Sequence, residues 1–246
     1  MTPPDPRGPL GPAERIICAL DLPALPEALR LVDALGGGVR WFKIGMELFT
    51  REGPRAVEEI LRRGAGVFLD LKYHDIPATA ERAVASAGAL GVSLLTVHAL
   101  GGPAMLEACA RGRDRCAKPP AVLAVTVLTS MDQEALGAVG VARPLEEQVL
   151  ASAELARRAG LDGVVASPQE VAALRKRLGK GPLIVTPGVR LGGGSQDDHA
   201  RASTPERAIG DGADLLVVGR PIRDAADPAA AARAFAAAAA RGAARA

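Results

Sequence analysis

The sequence predicts an α/β protein, a single-domain (β/α)8 TIM barrel, and three observations carry that prediction. Eight short, near-continuously apolar segments recur along the chain, each followed by a stretch of helical periodicity. Strands that are apolar on both faces belong to a parallel sheet covered by helices. At 246 residues the chain has the length of one barrel with little decoration. An open doubly wound sheet is the alternative, but it seldom needs eight regular units.

The first strand is expected over 15–20, ending at Asp21, with a helix over 25–35. Asp21 ahead of Leu22-Pro23 also fits the N-cap of that helix. A second strand over 41–44 carries Lys43 and precedes a helix over 53–63. The third, 66–70, runs into Asp70, Lys72 and Asp75 and then a helix over 78–90. The fourth, 93–98, ends in His98 and precedes a helix over 102–111. The fifth, 122–128, reaches Thr129 and Ser130, and a longer connection to Arg143 separates it from a helix over 145–159. The sixth strand and its helix fall at 163–166 and 168–178. The seventh, 183–186, opens into a Gly-rich connection over 187–203 that holds Arg190, before a helix over 205–209. The eighth, 214–218, leads into Gly219-Arg220, and an Ala-rich closing helix from 225 frays toward the end. Residues 1–12, rich in Pro and Gly, are expected to be disordered, leaving 13–246 as the one domain.

Composition narrows the function. Aromatics are only 2% of residues, which argues against a nucleic-acid binder that stacks bases on exposed rings. The net charge of +2 comes from interleaved acids and bases, so no long-range field draws the chain to DNA or membrane. Cys18, Cys109 and Cys116 have no metal spacing, and an odd, sparse set fits a reducing compartment, the cytoplasm. The N-terminus has no signal-peptide core, and no apolar run reaches membrane-spanning length.

The chemistry is expected where strands end and loops begin. Strand alternation puts Asp70 and Lys72 on one side, and a carboxylate beside an ammonium is costly to bury without purpose. That pair reads either as a structural ion pair or as a catalytic lysine held charged by flanking aspartates. Charges from several strands pointing into one mouth favour the second. His98 reads as a core or supporting histidine rather than a metal ligand, because no partner stands at metal spacing. The loops after the seventh and eighth strands offer backbone N–H groups with Arg190 and Arg220, which together suit an anion such as a small phosphorylated metabolite.

These residues resemble the orotidine 5′-phosphate decarboxylase family in its bacterial form, from Arg15 to about Phe235. The motif Asp-x-Lys-x-x-Asp-Ile-Pro-x-Thr stands as Asp70, Lys72, Asp75, Ile76, Pro77 and Thr79. Ala-Leu-Asp at 19–21, Phe-Lys-Ile-Gly at 42–45, Val-Thr-Val-Leu-Thr-Ser at 125–130, Thr-Pro-Gly-Val-Arg at 186–190 and Val-Gly-Arg-Pro-Ile at 218–222 follow in the family's order. The resemblance implies decarboxylation of orotidine 5′-monophosphate to UMP without metal or cofactor. It implies Lys72 as proton donor, Asp70 against the substrate carboxylate, and a charge array of Lys43, Asp70, Lys72 and Asp75. Asp21 and Lys43 would hold the ribose, Thr129 with Ser130 the pyrimidine edge, and Arg190, Arg220 and the Gly219 backbone the phosphate. Asp75, Ile76 and Thr79 would complete the pocket of a second subunit, making a homodimer with shared sites. His199 stands where the family usually has Gln and is expected to contact the phosphate. Two readings remain beside this one: a Mg²⁺-dependent sugar-phosphate decarboxylase or aldolase of the same superfamily, and a non-catalytic nucleotide-binding barrel.

Overall fold

The computed structural model describes residues 5–192 and 203–245. β1 (Ile16–Ala19) is followed by α1 (Leu25–Leu35), β2 (Trp41–Gly45) by α2 (Met46–Glu52) and α3 (Pro54–Arg62), and β3 (Gly66–Tyr73) by α4 (Pro77–Ala89). β4 (Leu94–His98) leads to α5 (Gly102–Asp114), β5 (Ala121–Val125) to α6 (Gln133–Ala138) and α7 (Leu145–Arg158), and β6 (Gly163–Val165) to α8 (Val171–Leu178). β7 (Leu183–Pro187) leads to α9 (Pro205–Gly210), and β8 (Leu215–Val218) to α10 (Arg220–Arg223) and α11 (Pro228–Ala243). The strands close in sequence order, with β8 pairing parallel to β1 through Ile17 and Val217. The eight-stranded barrel expected from the strand rhythm is therefore present.

Alternation along the strands sorts the side chains into two cores. Ile17, Trp41, Phe68, Leu94, Leu123, Val185 and Leu215 fill the barrel interior, while Ile16, Phe42, Leu69, Leu95 and Leu216 face the helices. Trp41 is fully buried and its Nε1–H donates to Glu14 O at 2.9 Å, so the one polar atom of the largest interior ring is satisfied. β6 can lie against β7 only because residue 163 is Gly, since a Cβ there would stand 2.2 Å from Leu183 O. The helices use Leu25, Ala28, Leu31, Val32 and Leu35 of α1 as a one-sided stripe of helical spacing.

The structure differs from the sequence expectation in four places. α1 takes Ala24 as its N-cap, and Glu52 Oε1 accepts the Leu25 N–H at 3.3 Å, so Asp21 is released from capping. α2 and α6 are short helices within connections read as loops, too brief for periodicity to reveal. β5 ends at Val125 rather than 128, with Thr126 N–H and Oγ–H both donating to Val165 O at 3.3 Å. β3 continues past Asp70 to Tyr73, through a slip in its pairing with β4. From the N-terminal segment, Arg7 reaches Pro119 O at 3.1 Å and Asp162 at 3.5 Å beneath the barrel.

Candidate active site

The interior core stops one layer below the C-terminal rim, because the next inward position on several strands is polar or small. On β2 it is Lys43, on β3 Asp70 and on β4 Thr96, while β5, β6 and β8 offer Val125, Val165 and Val217. Above this layer opens a cavity of about 370 Å³, within the range of small-ligand sites. Asp21, Lys43, Asp70, Lys72, Thr129, Arg190, Gly219, Arg220 and Arg223 line it, with a floor of Phe68 and the three valines.

One wall is a chain of alternating charge. Asp21 Oδ1 lies 2.8 Å from Lys43 Nζ, and Lys43 Nζ lies 3.7 Å from Asp70 Oδ2. Lys72 Nζ sits 3.0 Å from both oxygens of Asp70. The Lys43 and Asp70 side chains are only 11% and 14% exposed, so each charge needs the next one. Lys43 does not snorkel to solvent. Gly45 leaves the room, since a Cβ there would stand 3.1 Å from Asp21 Oδ1 and 3.2 Å from Lys43 Nζ.

Lys72 has φ 51°, the one positive φ at a non-glycine position among the described residues. Such a conformation costs about 1–3 kcal/mol and persists only where the surroundings impose it. Two imposing bonds come from Thr96, whose Oγ accepts the Lys72 N–H at 2.9 Å and donates to Asp70 Oδ1 at 2.9 Å. Sequence reasoning passed over Thr96, because a Thr inside an apolar strand signals only strand propensity. It also passed over Arg223, which donates to Asp21 O at 2.7 Å and is held by Asp224 at 2.6 Å.

Another part of the wall is cationic. Burial, and then the charge of Arg220, push the Arg190 guanidinium below its ordinary value. Two guanidiniums that repel across a cavity wall favour an anion between them. Gly188, at φ 79°, gives the turn that carries the chain from β7 to Arg190. After the eighth strand the chain turns at once into α10, with Gly219 at its N-cap.

Asp75, Ile76 and Thr79 do not line this cavity within the one chain. Asp75 is exposed and accepts the Ile76 N–H through its own Oδ1 at 2.7 Å, Ile76 is 67% exposed, and Thr79 lies in the first turn of α4. The array inside one chain runs from Asp21 through Lys43 and Asp70 to Lys72. Ser130 is exposed beside Thr129, outside the lining. His199 lies outside the described residues. Among the described residues no cluster of three or more His, Cys, Asp or Glu is arranged to hold a metal ion, and no helix is long and apolar enough to cross a membrane.

His98, at the end of β4, stacks on His74 with centroids 5.4 Å apart and accepts the Leu100 N–H through Nδ1 at 3.3 Å. It is a supporting residue of the rim. Burial, then the charges of His74 and Lys72, push its imidazole below the ordinary histidine value of 6.5. The unfolded chain therefore takes up this proton first, so the stabilisation is whole above pH 6.5 and declines as pH falls through it. Chemical denaturation between about pH 7 and 5.5 should show a smaller loss of stability in His98→Asn than in the wild type. Equal losses would remove His98 from the acid response.

Comparisons with known proteins identify the family. Residues 14–235 match the model of the Orotidine 5′-phosphate decarboxylase / HUMPS family. An orotidine 5′-phosphate decarboxylase of Anaeromyxobacter sp. (strain K) is 54% identical over 226 residues, covering 92% of this chain and 98% of that protein. One from Moorella thermoacetica is 52% identical over 230 residues, 91% of each chain. The crystal structure of orotidine 5′-phosphate decarboxylase from Lactobacillus acidophilus superposes with a TM-score of 0.83 at 36% identity, covering 92% of this chain and 99% of that one. A match of this extent, at half-identity and with the same closed barrel, means that the chain belongs to the Orotidine 5′-phosphate decarboxylase / HUMPS family.

Proposed function

We propose that this chain decarboxylates orotidine 5′-monophosphate to UMP, a step of pyrimidine-nucleotide synthesis, with Lys72 as the proton donor. The observation that carries the reading is one cavity with an ammonium–carboxylate array on one wall and two guanidiniums on another. Curated relatives at about half-identity bear the same activity in their names, which supports it.

Breaking the bond between the ring carbon and its carboxylate leaves the electron pair in the ring plane, where no π-system spreads it. The protein must then stabilise the charge with a placed cation and a proton. Lys72 Nζ, already 3.0 Å from both Asp70 oxygens, supplies both: its proton goes to the ring carbon, CO₂ leaves, and the neutral amine recovers a proton from solvent. Asp70 lies against the departing carboxylate. Asp21 and Lys43, paired at 2.8 Å, meet the ribose hydroxyls, and Thr129, which lines the cavity, meets the pyrimidine edge. Arg190, Arg220 and the Gly219 backbone take the phosphate, joined by His199. A second copy contributes Asp75, Ile76 and Thr79 to the site, and the exposure of Asp75 and Ile76 in the single chain supports that homodimer. The free cysteines support a cytoplasmic setting.

The test is the loss of ultraviolet absorbance when EDTA-treated protein meets orotidine 5′-monophosphate. Conversion to UMP is expected. No conversion, with UMP still bound, would replace the enzyme by a nucleotide-binding barrel. Conversion of a sugar phosphate only on adding Mg²⁺ would move the chain to the other branch of its family.

A further inference from the structure

β3 and β4 pair in register at Leu69 with Leu95 and again at Tyr73 with Val97. Between those pairs β3 has Asp70, Leu71 and Lys72, while β4 has Thr96 alone. Two surplus residues must therefore bulge, and the bulge cannot give the Lys72 N–H a ladder carbonyl. A hydroxyl has one donor and two acceptor sites, so one Thr side chain can serve both partners it faces here. Thr96 is fully buried, leaving no solvent to do the same work. Its single proton goes to Asp70 Oδ1 and its lone pair takes the Lys72 N–H, each at 2.9 Å.

We propose that Thr96 is a positioning residue of the reaction: its hydroxyl fixes the strand bulge that aims Lys72 and the carboxylate plane that holds its ammonium. The inference rests on the proposed decarboxylation. Thr96 is absent from the cavity lining, so it acts on the reacting groups through Asp70 and Lys72 only. Without the hydroxyl, the Lys72 main chain loses a side-chain tether, and Asp70 loses the donor that sets its plane and keeps only the ammoniums of Lys72 and Lys43. A donor displaced by a fraction of an ångström loses rate while the distant grips on ribose and phosphate persist.

Thr96→Val keeps the shape and removes both bonds. Measured against orotidine 5′-monophosphate, its kcat should fall roughly 10- to 100-fold with KM and UMP affinity little changed. Thr96→Ser restores the hydroxyl and should recover most of the rate. A Thr96→Val enzyme with wild-type kcat, or a Thr96→Ser enzyme as slow as Thr96→Val, would overturn the proposal. A loss shared by kcat and UMP affinity would make Thr96 merely structural and overturn it too. If Thr96→Val does not fold, Thr96→Ala carries the same comparison. An inactive wild type in the parallel cuvette would instead overturn the decarboxylation itself, so the two failures are distinct.

Discussion

Lys72→Ala folds as the same barrel and turns over orotidine 5′-monophosphate at less than about a hundredth of the wild-type kcat, the scale expected when a positioned proton donor is lost. The barrel survives because Lys72 stands at the rim, 27% exposed at its side chain, and contributes nothing to either apolar core. Its backbone conformation is as awkward for Ala as for Lys, so φ 51° adds no new strain. What changes is the charge. Asp70 keeps the Thr96 hydroxyl at 2.9 Å but has only Lys43, at 3.7 Å, as a cation. A carboxylate so placed would meet the substrate carboxylate with no ammonium between them, and no proton would be at hand for the ring carbon. The measurement is absorbance decay beside circular dichroism on the same sample. A folded variant retaining more than about a hundredth of kcat would remove Lys72 from the proton-donor role.

How far the sequence disclosed this site depends on the kind of signal each residue gives. Asp21, Lys43, Asp70 and Lys72 were legible because a charge at the end of an apolar strand has few structural excuses, and all four line the cavity. The barrel was legible for the related reason that eight strands apolar on both faces demand an outer layer of helices. Thr96 was not, since its polar atom is used inside the fold and its residue type is ordinary in a strand. Asp21 was ambiguous between cap and site until Glu52, from another element, took the Leu25 N–H. Asp75 shows a different limit. Its motif spacing is plain, yet the side chain is exposed and does not line its own cavity, and spacing alone says nothing about which subunit a residue serves. The pairing slip after Leu69 was likewise silent, because a bulge is set by the neighbouring strand rather than by the residues that form it.

The phosphate end yields the second large effect. Arg220→Ala should lower kcat/KM for orotidine 5′-monophosphate roughly 30-fold, equivalent to about 2 kcal/mol, the low end for truncating one partner of a charge-assisted contact because this side chain is exposed. Orotidine, which lacks the phosphate, should react far more slowly than the nucleotide in the wild type. Binding energy from the remote dianion is available to close the site and orient the ring, so a truncated substrate loses kcat as well as affinity. The decisive comparison combines the two changes. If Arg220 acts on the phosphate, its removal costs nothing further once the phosphate is gone, and the variant and wild type should treat orotidine alike. An Arg220→Ala enzyme that slows orotidine as much as the nucleotide would place the residue's role in the fold of the β8 loop. A wild type that accepts orotidine and its phosphate equally would mean that the two guanidiniums serve some other anion.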